Sequence, residues 1–250
     1  MHGTLSPVLR DVLSRCGHCT IRHRAVCGGM DDVQVGKLAQ IAQRRKIHAG
    51  QTIMSDEEPA DFFANVISGA IKLTKTLADG RQQIVGLLFA PDFLGRAYGK
   101  NNPYTAEAAT EVEICAFPTA AFERLAGEYP GLQQRLFQHT LDELDAARDW
   151  MLLLGRKTAE EKVASFLYML ARRGQIAGCE HKNPPSMTAF ELPLTRADMA
   201  DCLGLTIETV SRQLTRLKTA NIIRFKSNRQ IMVPDLRRLA ELAGQEQVPH

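Results

Sequence analysis

Three of the six cysteines in this 250-residue chain, Cys16, Cys19 and Cys27, fall within the segment RCGHCTIRHRAVCGG. Thiols spaced C-x2-C-x7-C can hold iron, hold zinc or close a disulfide. His23 extends the run to Cys16-x2-Cys19-x3-His23-x3-Cys27, near a zinc-knuckle spacing, so these residues alone serve iron and zinc equally. A different chemistry lies in LTRADMADCLGLTIETVSRQLTRLKTANII. There Glu208, Ser211, Arg212 and Thr215 share one side of a helical period, and Ile207, Val210, Leu214 and Leu217 form the apolar other side. Arg212 can donate twice to guanine, Glu208 can accept from cytosine and Ser211 can serve either way, which is the chemistry of reading base edges. Thr206, Thr209 and Arg216 complete the candidate DNA-binding set.

Those side chains reach a major groove only if a helix-turn-helix presents them. Thr195-x-x-Asp198 predicts a capped short helix, and Thr206 predicts the cap of a second helix with Glu208 in its first turn. Ala200, Gly204 and Val210 fit the spacing of that motif: a small residue where helices touch, a glycine in the turn and an apolar lock on the second helix. Beyond it, IIRF and QIMV flank Lys226-Ser227-Asn228-Arg229 as a hairpin with a basic tip, a wing that would rest on phosphate. From Ile207 to Arg229 six basic residues face one acid, Glu208, which points to a polyanion partner although the net charge is only +3.

Upstream, about Lys46 to Phe117, short strands punctuated by glycine predict a small antiparallel β domain, with AIKLTKTL and RQQIVGLLF joined at Asp79-Gly80 and with Ile71, Leu73 and Leu77 sharing a parity. After Pro130 the period lengthens to that of a helix. Phe137, Leu141, Leu144, Met151 and Leu154 form a stripe suited to a partner helix, crowded by Asp142, Glu143, Asp145 and Asp149. A Thr158-x-x-Glu161 capping box opens the next helix. Composition, 44% hydrophobic and 24% charged, is that of a globular protein, and the chain has no apolar run of signal or membrane-spanning length. The chain is therefore expected in the cytoplasm without membrane contact, where reduced thiols favour a metal site or redox sensor over a staple. No catalytic triad, carboxylate pair or dinucleotide glycine motif marks an enzyme.

The order of a β domain, a long helix and a winged helix-turn-helix resembles the CRP/FNR superfamily of bacterial transcription regulators. Glu208-Thr-Val-Ser211-Arg212 is similar to the E-x-x-S-R motif of its FNR branch, as are DWMLLLGRKTAEEKVASFLYMLARR and LPLTRADMADCLGLTIETVSRQLTRLK, and the resemblance runs over nearly the whole chain. It implies an α+β fold: a cysteine-rich cluster segment (1–30), an N-terminal antiparallel β-roll sensor domain (31–129), a long dimerisation helix (130–157) and a C-terminal winged helix-turn-helix (158–250). It also implies a homodimer that binds double-stranded DNA at a TTGAT...ATCAA palindrome and recruits RNA polymerase when oxygen is absent. The signal would be an oxygen-labile 4Fe-4S cluster, held by three N-terminal cysteines and one distant cysteine in the β domain.

Cys16, Cys19 and Cys27 match the first three ligands. The x7 gap is longer than in enteric FNR and is of the type found in FnrN-like relatives. Among Cys115, Cys179 and Cys202, strand parity favours Cys115. In EVEICAF it shares a face with Glu111 and Glu113, opposite Val112, Ile114 and Ala116, so its sulfur is expected to point away from the apolar side. Cys202 is expected as a small buried hydrophobe, and Cys179 lies in a loop. Cyclic nucleotide, the superfamily's other ligand, is not expected. In PDFLGRAYGKNNPYTAEAAT, Arg96 follows Gly95 and no Arg-Ser pair occurs to meet a phosphate. The main rival is a zinc-stabilised DNA-binding protein with no oxygen response.

Overall fold

The computed structural model describes residues 16–177, 188–227 and 229–245; Cys179 and Asn228 lie outside them. Two compact units divide between Ala146 and Ala147.

The first unit opens with a 3-10 turn (Val26–Gly29) and α1 (Asp32–Ile41). Asp31 caps α1 reciprocally with Gln34, so local hydrogen bonding fixes where that helix starts. The strands follow as β1 (Gln43–Ile47), β2 (Thr52–Met54), β3 (Phe62–Ser68), β4 (Ala70–Thr76), β5 (Gln82–Phe89), β6 (Phe93–Leu94), β7 (Thr105–Ala108) and β8 (Val112–Pro118). Then come α2 (Thr119–Glu128) and the start of α3 (Pro130–Arg156). Among the described residues the strands form two four-stranded antiparallel sheets, ordered β1-β8-β3-β6 and β2-β7-β4-β5. Between Leu73 and Thr74 a bulge shifts the β4–β5 register. Leu77 lies past the last residue of β4 and is 58% exposed, so it does not join Ile71 and Leu73 in the core as its parity suggested.

Strand alternation builds two cores on the two faces of one sheet. Ala64, Val66, Val112, Ile114 and Ala116 face the other sheet and pack with Ile71, Leu73 and Leu88 inside the roll. Phe63, Phe93 and Phe117 face outward and meet Val26, Met30, Val35, Leu38, Phe122, Leu132 and Leu136. Four phenylalanines stack there with centroids 5.2–5.7 Å apart. Removing a ring such as Phe122 is expected to cost about 3–5 kcal/mol.

The second unit holds the end of α3, then α4 (Ala159–Ala177), β9 (Thr188–Glu191), α5 (Arg196–Leu203), α6 (Ile207–Thr219), β10 (Arg224–Phe225), β11 (Gln230–Val233) and α7 (Leu236–Leu242). The Thr158 amide donates to Glu161 Oε2 at 2.7 Å and the Glu161 amide to Thr158 Oγ1 at 3.3 Å, which starts α4. The wing has a third strand that the sequence pattern did not predict: β9 pairs with β11, giving the order β10-β11-β9. Among the described residues no helix is long and apolar enough to cross a membrane.

Candidate functional site

The helix-turn-helix is set by its caps. Thr195 and Asp198 form a reciprocal box at the start of α5, and Gly204 ends that helix at φ +60°, where a side chain would be strained. Thr206 Oγ1 accepts from the Thr209 amide at 3.2 Å to start α6. Ala200, Val210, Leu214 and Leu217 are buried as the motif requires. Ile207 is 48% exposed, and Gln213 is buried among the apolar positions. The expected apolar stripe therefore loses its first member and includes an amide.

Glu208, Arg212, Thr215 and Arg216 are exposed, and Ser211 is half-buried. The backbone amide of Glu208 and the Thr206 hydroxyl hold the Glu208 carboxyl below its usual range, so it is a ready acceptor. Arg212 Nη2 reaches Thr209 Oγ1 at 3.4 Å, a contact at the limit of hydrogen bonding that leaves the fork free to turn to a base. Arg196, which the sequence reading passed over, donates to Ser211 Oγ at 3.3 Å from the neighbouring helix. With Thr215, Lys218, Lys226 and Ser227 it lines a groove beside the wing.

The cysteines converge on the outer face of the first unit. Cys16, Cys27 and Cys115 all pack against the cluster of Phe63, Phe117 and Val26, so the face to which Cys115 points is a second apolar core. Cys115 does leave the side of Val112, Ile114 and Ala116, as parity predicts; the side it takes is apolar as well. Burial, reinforced by Cys19 and Cys16, pushes the Cys27 thiol up to about 11. Burial, reinforced by Cys16, Cys27 and Cys19, pushes Cys115 to about 12 against the pull of Arg44. Each of these two sulfurs thus lies within electrostatic range of the other cysteines. Among the described residues no three His, Cys, Asp or Glu side chains are arranged to hold a single metal ion. Cys202 is 1% exposed, a buried residue of the helix-turn-helix.

The cysteine loop is fastened to α3. Arg135 Nη2 donates to the carbonyls of His23 (3.3 Å) and Arg24 (3.2 Å), and His139 Nε2 lies 3.3 Å from the same Arg24 oxygen. Backbone touches backbone one turn away: Gly131 packs so closely on the Gly29 carbonyl that a Cβ there would collide with it. Further along α3, Phe137 (63%), Leu141 (39%), Leu144 (45%) and Met151 (72%) are exposed together, with Leu152 beside them.

Residues 161–242 match the family model of the Crp-like helix-turn-helix domain, and residues 44–129 match that of the cyclic nucleotide-binding domain. The chain is 48% identical to the transcriptional activator protein FnrL of Cereibacter sphaeroides, over 94% of each chain. It belongs to the CRP/FNR family of transcription regulators. This CRP/FNR chain is also 31% identical to the fumarate and nitrate reduction regulatory protein of Escherichia coli, over 92% of this chain and 90% of that one. The structure of FixK2 from Bradyrhizobium japonicum superposes with a TM-score of 0.72 at 36% identity, covering 81% of this chain and 97% of that one. The family's members here are DNA-binding regulators, not enzymes. In this CRP/FNR roll Gly95 takes φ +114°, and any Cβ there would lie 2.7 Å from the Phe63 ring. The Gly95 backbone hydrogen-bonds the phenol of Tyr104, whose pKa burial pushes to about 12.

Proposed function

We propose that the chain is a homodimeric, oxygen-responsive transcription regulator. It binds a TTGAT...ATCAA-type palindrome and recruits RNA polymerase while Cys16, Cys19, Cys27 and Cys115 hold a 4Fe-4S cluster. The observation that carries this reading is the packing of Cys16, Cys27 and Cys115 of β8 against one apolar cluster, with Cys19 near enough for its charge to act on Cys27 and Cys115. A single zinc ion needs its ligands converged on one point, an arrangement not found among the described residues, whereas a cubane takes one thiolate at each of four irons. The E. coli relative is named for fumarate and nitrate reduction, which fits a response to oxygen.

When bound, the cluster supplies an oxygen-labile cross-link between the cysteine loop and β8. Arg135 and His139 grip the carbonyls of that loop, and Gly29 sits against Gly131, so a change in the loop's position is passed directly to the first turns of α3. Phe137, Leu141, Leu144 and Met151 then pair with the same residues of a second copy, against the repulsion of Asp142, Asp145 and Asp149. Pairing sets two recognition helices about 34 Å apart, one turn of DNA. Glu208, Ser211 and Arg212 read bases, with Thr206, Thr209 and Arg216 beside them. Two half-sites bind far more tightly than one, so a modest dimer shift becomes a large change in occupancy. Cyclic nucleotide has no part in this reading, since the Gly95 backbone is already engaged by Tyr104 and Arg96 stands beside it with no Arg-Ser pair following.

The test is an iron, sulfide and zinc assay on protein purified without air, with the visible spectrum and palindrome binding followed as oxygen is admitted. The expected result is about four irons and four sulfides per chain, with colour and DNA binding lost together. A colourless, zinc-loaded protein that binds DNA equally in air would overturn the oxygen response.

A further inference from the structure

Asn65 lies in the run FFANVIS of β3 and is 1% exposed, yet its Oδ1 has no hydrogen-bond partner. A buried amide left unsatisfied destabilises the fold, and Phe63 and Phe117 nearby show that apolar side chains suit this face. The register places it. Asn65 stands directly opposite Cys115 across β3–β8, and Arg44 stands opposite the same cysteine across β1–β8. Opposed residues of antiparallel strands share a face with Cβ atoms about 4.5–5.5 Å apart, within reach of an amide-to-sulfur hydrogen bond. Arg44, Cys115 and Asn65 therefore form a row across three strands, with the cysteine between a guanidinium and an amide. Oxygen and nitrogen of an amide are told apart only by their partners, so an Asn65 with Oδ1 unpartnered can equally present its N–H groups.

We propose that Asn65 is a positioning residue for the cysteine site, its amide N–H donating to the Cys115 sulfur once that sulfur is an iron-bound thiolate. The inference rests on the cluster reading above. A protonated thiol is a weak acceptor and leaves the amide unsatisfied; a ligating thiolate carries the charge that satisfies it. The residue thus works in opposite directions in the two forms of the protein. Without the cluster it is a buried polar group that weakens the fold, and with the cluster it holds a ligand in place and stabilises negative charge on sulfur. Hydrogen bonds to the sulfurs of such clusters favour the more reduced state, and outer-shell partners of metal ligands typically govern retention of the metal.

The experiment compares wild type, Asn65→Leu and Asn65→Ser as full-length protein prepared without air. Leucine keeps the volume without a donor, and serine restores a donor hydroxyl. Iron loss to a ferrous chelator is expected to be roughly 10-fold faster in Asn65→Leu, its cluster potential lower, and both partly recovered in Asn65→Ser. The cluster-free Asn65→Leu protein is expected to melt at the wild-type temperature or higher. A loaded Asn65→Leu protein with wild-type iron loss and potential would overturn the inference, as would a lowered melting temperature of the cluster-free form, which would assign the amide to the fold alone. If wild type itself carries zinc and no iron, the cluster reading falls and takes this inference with it. A loaded wild type beside an unaltered variant removes only the role of Asn65.

Discussion

Replacing Arg135 by leucine is expected to loosen the cysteine loop from α3, and the hydrogen bonds give the size of the effect. One guanidinium nitrogen serves two backbone carbonyls, those of His23 and Arg24, at 3.3 and 3.2 Å, both long for N–H···O bonds. Bonds from a charged donor contribute about 1.5–3 kcal/mol each at good geometry. Against this, the Nε of the same residue is buried without a partner, a penalty that leucine would remove. The net loss is therefore placed at about 1–2 kcal/mol, which raises the open population of the loop roughly 5- to 30-fold. Amide hydrogen exchange reads this directly, because the Ala25 amide bonds to Ile21 O and the Gly28 amide to Ala25 O, each at 2.9 Å, only while the loop is formed. Both should exchange faster by that factor in Arg135→Leu, with or without a cluster, and DNA affinity of the loaded protein should fall in parallel. Unchanged exchange at Ala25 and Gly28 would refute the idea that this residue fastens the loop.

Four further outcomes are expected. Arg212→Ala should cost roughly 1–3 kcal/mol per half-site and relax preference at one base pair, measured by anaerobic titration against a series of operators; an unchanged preference would remove Arg212 from base reading. Cys115→Ser should abolish iron loading while Cys202→Ser, at a buried position in the other unit, should not, and equal loss from both would overturn the ligand choice. Leu144→Asp should weaken self-association by about 1–3 kcal/mol in sedimentation of the loaded protein, and an unaltered dimer mass would show that the exposed stripe of α3 is not the interface. In cluster-free protein the raised values of Cys27 (about 11) and Cys115 (about 12) keep both as thiols at pH 8. Their alkylation should be slow there and accelerate as pH rises toward 11; rates typical of a free thiol at pH 8 would contradict that burial.

What was legible in the sequence was mostly local. Thr158, Thr195 and Thr206 announce helix starts through bonds to residues three positions on, and Gly204 announces a turn through its own backbone freedom. Parity was enough to put Cys115 on the face opposite Val112, Ile114 and Ala116. Parity also puts Phe117 of β8 on that face, but it could not show that the face is covered, because Phe63, Phe93 and Phe122 come from β3, β6 and α2. The grip of Arg135 on Arg24 spans 111 residues, and no pattern on either segment encodes it. Periodicity also counted Ile207 in the apolar stripe and did not single out Gln213, whereas the packing around α6 exposes the first and encloses the second. The polar Asn65 between Ala64 and Val66 was the one visible sign of the row beside Cys115, and only the β3–β8 register gives it meaning.

A sheet clad in apolar groups on both sides has no side to spare. Val26 and Met30 are part of the outer cladding of β1-β8-β3-β6, together with the rings of Phe63, Phe117 and Phe122. Deleting the chain up to Met30 would not leave a regulator blind to its signal; it would strip those rings bare and yield a sticky, poorly soluble protein. Variants that test the proposed oxygen response are therefore to be made by exchanging single side chains in the loop or on α3, with the cladding left whole.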